Sequence, residues 1–66
     1  MVYERIESRA MRVMRIAMDE YGFDDRSYEY DEDKDCAVVR AYRAWAWQPI
    51  ATVSLTDTGP VFHRIT

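Results

Sequence analysis

Apolar residues recur at helical spacing through the first third of the chain: Val2, Tyr3, Ile6, Ala10, Val13, Met14, Ala17, Met18 and Tyr21. At about 100° per residue they gather on one side of a helical wheel. Arg5, Arg9 and Arg12 occupy the opposite arc, Arg15 lies toward its margin, and Ile16 stands among them. Met, Arg, Ala and Glu favour helix, and neither Gly nor Pro interrupts the run. Gly22 follows Tyr21, where a glycine in a left-handed conformation commonly ends a helix. The pattern predicts a helix from Val2 to Tyr21.

Beyond Gly22 the period changes to two. Ser27-Tyr28-Glu29-Tyr30-Asp31 alternates, and Asp31 to Asp35 reads as a charged turn. Cys36 to Trp47 is rich in Val, Tyr and Trp, lacks breakers, and reads as the longest strand. Gln48-Pro49 marks a turn, and Ile50 to Thr56 alternates again. Asp57-Thr58-Gly59 suits a three-residue hairpin loop with Gly59 left-handed, followed by a last strand from Pro60 to Thr66. The expected fold class is α+β. One N-terminal helix packs on one face of a three- or four-stranded antiparallel β-meander, in a single domain over 1–66.

These turns imply a register. A three-residue loop sets Thr56 opposite Pro60, so that Val61, His63 and Ile65 join Leu55, Val53 and Ala51 on the inner face. Phe62 and Arg64 then point outward. A turn at Gln48-Pro49 leaves two arrangements, because a one-residue slip exchanges the faces. One buries Trp45 and Trp47; the other displays them with Arg43 as an aromatic, Arg-bearing patch, of the kind that marks a partner or homodimer interface. Burial is the favoured arrangement, because a short chain with one helix needs large residues inside.

Composition narrows the class. At 66 residues the chain is one small domain, in which only about 60% of the unfolded surface can be buried. Its 48% hydrophobic and 14% aromatic content excludes disorder. The single Cys36 excludes an internal disulfide, and no apolar run is long enough for a signal peptide or membrane span. The expectation is a cytoplasmic protein, with self-association a reasonable prior for so small a scaffold.

Charge is segregated by segment. Residues 1–18 hold four arginines against Glu4 and Glu7, and residues 36–66 hold three against Asp57. Residues 19–35 hold nine carboxylates against Arg26 and Lys34, so a formal net charge of −3 conceals a strong dipole. Asp24, Asp25, Glu29, Asp31, Glu32, Asp33 and Asp35 form the candidate surface for a basic partner, with Arg5, Arg9, Arg12, Trp45 and Trp47 as alternatives. The bland counterpart is a solubilising loop and a charged edge strand.

Candidate chemistry is sparse. Carboxylates alternate from Asp31 to Asp35 as in the first half of a calcium loop, but Cys36 stands where that loop needs glycine and Tyr42 where it needs glutamate. Cys36 and His63 are the only soft ligands, which leaves no zinc set and, without an orienting third group, no nucleophile. No cofactor, metal or catalytic residue is expected. The reading is a non-enzymatic interaction protein. By analogy of size and charge with phage-encoded inhibitors of bacterial defence, its concrete form is an inhibitor or adaptor that binds a basic macromolecule. The alternative is a small nucleic-acid-binding or regulatory domain using the arginine face.

Overall fold

The computed structural model describes residues 8–22 and 25–65. It contains one helix, α1 (Arg9–Tyr21), followed by β1 (Arg26–Asp31), β2 (Cys36–Arg43), β3 (Ala46–Thr56) and β4 (Gly59–Arg64). The strands form one antiparallel sheet in sequence order. The α+β class and the antiparallel meander are therefore as the periodicity indicates, and of the three or four strands expected the sheet has four.

The helix starts at Arg9 rather than Val2. Ser8 is extended (φ −66°, ψ 157°), and its hydroxyl accepts from the Met11 N–H at 3.2 Å, the hydrogen bond of an N-cap. The part of the expected helix on residues 1–7 lies outside the described residues. Gly22 ends α1 with φ +81°, and its N–H donates to the Met18 carbonyl at 2.8 Å. Arg26 donates to the Tyr21 carbonyl at 2.9 Å, and the Tyr28 hydroxyl to that of Gly22. These bonds satisfy otherwise orphaned carbonyls and fasten the helix end to β1.

Val13 and Ala17 of α1 are buried against Ala37, Val39, Ala41, Ile50, Ala51 and Val53. The largest fully buried side chains are only valines: Val13, Val39 and Val53. Alanines on both layers let the helix lie close to the sheet, so the core is thin but tight. Ile16, expected among the arginines in solvent, instead packs against this cluster. A helix resting on a broad sheet buries a wider arc than the hydrophobic stripe alone defines.

Both remaining turns differ from the expectation. The β2–β3 turn is Ala44-Trp45, and Gln48-Pro49 lies within β3. Val39 pairs with Ala51 but Arg40 pairs with Pro49, so Ile50 is the extra residue of a bulge and turns into the core. The bulge, together with the absence of a β4 partner beside it, is what tolerates Pro49 in a strand. The β3–β4 turn holds two residues, with Thr56 opposite Gly59 and Val53 opposite Phe62. That one-residue difference exchanges the faces of β4. Phe62 and Arg64 lie on the helix side, while Val61, His63 and Ile65 share the open face with Ser54 and Thr52. Phe62 there meets Tyr21 edge-on, with ring centroids 6.5 Å apart.

Candidate functional site

The acidic segment is divided among several jobs. The Asp31 carboxylate accepts from the N–H groups of Asp33 (3.0 Å) and Lys34 (3.2 Å), which closes the β1–β2 turn. Glu29 pairs with Arg40 across the open face. Asp35 has φ +51°, and its two oxygens accept from the Tyr30 hydroxyl and from Arg9 Nε (2.6 Å). Arg9 also donates to the Leu55 carbonyl. Through Arg9, Asp35 ties the start of α1 to the β1–β2 turn. Glu32 and Asp33 stand exposed at the turn, and Asp25 is exposed at the other end of β1. Asp24 lies outside the described residues. An open depression of about 370 Å³ runs beside the turn, lined by Glu29, Asp31, Glu32, Asp33, Val38 and Arg40 among others.

The Tyr30–Asp35–Arg9 contact carries a pH signature. The Tyr30 hydrogen bond, then that of Arg9, holds the Asp35 carboxyl below its ordinary value, and the Asp35 carboxylate pushes the Tyr30 phenol above 10.0. A depressed carboxyl contributes stability above the ordinary carboxylate range and loses it as pH falls through its own titration. A raised phenol contributes below its ordinary value and loses that contribution as pH climbs through the raised one. Urea midpoints of wild type are therefore expected to fall at both extremes, and Asp35→Asn to remove part of each decline. Superimposable pH profiles for the two proteins would refute the coupling.

The arginines do not form a track. Arg9 is engaged at the start of α1 and Arg40 with Glu29, Arg12 is exposed on the helix, and Arg5 lies outside the described residues. Cys36 and His63 do not meet: they lie on β2 and β4 with β3 between, roughly 10 Å apart at the usual strand spacing. Burial pushes the Cys36 thiol up, which suits a small buried side chain better than a nucleophile. Among the described residues no group of three or more His, Cys, Asp or Glu is placed to hold a metal ion. No helix there is long and apolar enough to cross a membrane.

The aromatic residues are brought together in a way the sequence did not reveal. β1 pairs with β2 only as far as Ala41, and the β4 ladder stops at Ala51. The end of the β2–β3 hairpin, residues 42–49, thus runs beyond both edge strands, and every residue in it is exposed. Tyr42 and Trp47 stand opposite each other on the open face, rings edge to face with centroids 5.4 Å apart. Trp47 is 50% exposed and Trp45, at the tip, 91%. The favoured expectation that both indoles enter the core is overturned, because the bulge at Ile50 and the turn at Ala44-Trp45 carry them past the helix.

The tip itself is strained. Ala44 and Trp45 have φ +52° and +66°, the pattern of a type I′ turn usually built from Asn-Gly. Neither residue announces such a turn. The signal for it lies in the pairing and not in the pair itself: Val39 faces Ala51 and Tyr42 faces Trp47, which leaves Ala44-Trp45 at the turn. Compared with models of known protein families, with curated proteins and with solved structures, the chain matches none.

Proposed function

We propose that this is a non-enzymatic protein-binding module that engages its partner with the end of the β2–β3 hairpin. The observation that supports it is Trp45, 91% exposed and carried by two consecutive non-glycine residues with positive φ. A large apolar side chain held in water on a strained turn costs stability twice over, and such costs cluster at binding sites. Trp and Tyr are the residues that most often dominate protein interfaces. The hairpin from Cys36 to Thr56 contains no carboxylate, so nothing there repels an acidic or neutral partner. The exposed Glu32 and Asp33 support a secondary role as steering charge toward a basic region of that partner. In its narrower form the module is an inhibitor that occupies a basic protein, and that form rests on the acidic turn alone.

Immobilised wild type and Trp45→Ala are expected to differ in quantitative capture from a nuclease-treated lysate. A protein retained by wild type should be depleted more than about tenfold on the variant, the loss expected when a tryptophan hot spot is removed. Equal capture by both, or capture seen from untreated lysate and lost from the nuclease-treated one, would overturn the reading; the second result would transfer it to nucleic acid.

A further inference from the structure

The three turns of the sheet are not alike. Asp31 closes the β1–β2 turn, and the positive φ there falls on Asp35, a residue type that tolerates it. The β3–β4 turn puts its positive φ on Gly59, and the Thr56 hydroxyl donates to the Gly59 carbonyl at 2.7 Å. The β2–β3 turn has no such residue. Ala44 and Trp45 both hold a Cβ at positive φ, where it crowds the backbone. The Gln48 amide does tie back to the Arg43 carbonyl at 3.0 Å, but both residues lie in solvent.

Locally these residues prefer to run straight on. Residues 36–47 contain no Gly, Pro, Asn or Asp, and their Val, Tyr and Trp favour extended backbone. Extended, Ala44 and Trp45 would be free of the crowding. What folds the chain back is the pairing of β2 with β3 beneath α1. That pairing does not require both strands to come from one chain. The core divides cleanly at the turn: Val13, Ala17, Ala37, Val39 and Ala41 precede it, and Ile50, Ala51 and Val53 follow. Residues 42–49 run beyond both edge strands, so a straightened turn disturbs neither the β1 nor the β4 ladder.

We propose that Ala44-Trp45 is the hinge of a domain-swapped dimer, in which β3 and β4 of each copy pack against β2 and α1 of the other. Each β2–β3 and helix–β3 contact is then re-formed between copies, and the strain of the turn is released twice. The balance between the two forms rests on that strain against the entropy of joining two chains, so concentration sets it. Exchange requires the central β2–β3 ladder to open, which in so small a core means unfolding. Refolding at high concentration is therefore the route to the dimer. The inference goes beyond partner capture and does not depend on it.

Wild type refolded from denaturant at about 5 and about 500 µM should sediment increasingly as two chain masses at the higher concentration. A disulfide reads the exchange. Val38 and Thr52 stand opposite each other on the open face. Val38→Cys with Thr52→Cys, in a Cys36→Ala background, should oxidise within one chain in the monomer and between chains in the dimer. The isolated dimer should then run as a covalent pair on a non-reducing denaturing gel. Trp45→Gly removes the crowded Cβ and should lower the dimer-to-monomer ratio by at least about tenfold. Trp45→Ala keeps a Cβ at that φ and should exchange as wild type does, which separates the strain from the indole. The comparison of these two variants needs no cysteines, so it decides the matter if the cysteine pair fails to fold. A wild type monomeric at every refolding concentration, or a dimer whose disulfide stays within each chain, would overturn the proposal. So would a Trp45→Gly variant that dimerises as well as wild type, or a Trp45→Ala variant that does not dimerise.

Discussion

Replacing Ala44-Trp45 with Asn-Gly is expected to stabilise the protein while abolishing capture of its partner. Both residues now hold positive φ, where a Cβ crowds the backbone at a cost of roughly 1–2 kcal/mol per residue. Asn tolerates this region and Gly has no Cβ, so the pair fits the turn that the two strands already make. Glycine returns part of the gain, about 0.5–1 kcal/mol, through the greater freedom of the unfolded chain. A net gain of about 1 kcal/mol should raise the melting temperature by roughly 4–8 °C in a domain of this size. The indole is lost in the same step, so partner capture should vanish as stability rises. That opposition distinguishes a turn shaped for binding from one shaped for folding. A melting temperature that stays level or falls would show that Ala44-Trp45 carries no strain worth relieving.

Val39→Ala is expected to be strongly destabilising for so small a change. Val39 is fully buried in the central strand pair, beneath the helix and between Tyr28 and Ala51. Removing its two methyl groups costs their burial plus the cavity left behind, roughly 2 kcal/mol. A domain this small holds only about 3–5 kcal/mol in total, so the loss takes close to half of it. The melting temperature should drop by about 10 °C or more. Trp45→Ala, which removes a far larger side chain, should change stability by no more than about 0.5 kcal/mol, because its indole is in solvent. If Trp45→Ala proved the more damaging of the two, the indole would belong to the core and the hairpin would have to be folded back.

The division between what was legible and what was not follows the range of the forces involved. The apolar positions of 9–21 and Gly22 act within a few residues of one another, and propensity and periodicity suffice to find α1 and its end. Its start at the Ser8 cap, and not at Val2, was missed because the apolar period runs on through Ser8. The β1–β2 turn is equally local, since Asp31 closes it through its own neighbours' N–H groups. The four strands and their antiparallel order follow from period-two alternation joined by short turns. The role of Asp35 was hidden, because its partners Tyr30 and Arg9 meet only when α1 lands on the sheet.

Register and facing were likewise decided by tertiary structure. Pro49 argued for a turn, yet pairing Ala37 and Val39 with Val53 and Ala51 beneath the helix outweighed it and drew Ile50 into the core. Those pairings then left Ala44-Trp45 to make the turn, against their own backbone preference. By itself the sequence determined one helix, an antiparallel meander of three or four strands and a divided charge. Only packing of the helix on the sheet decided which residue of each strand faces inward, because a slip of one residue barely changes the backbone bonds but exchanges everything the core can bury.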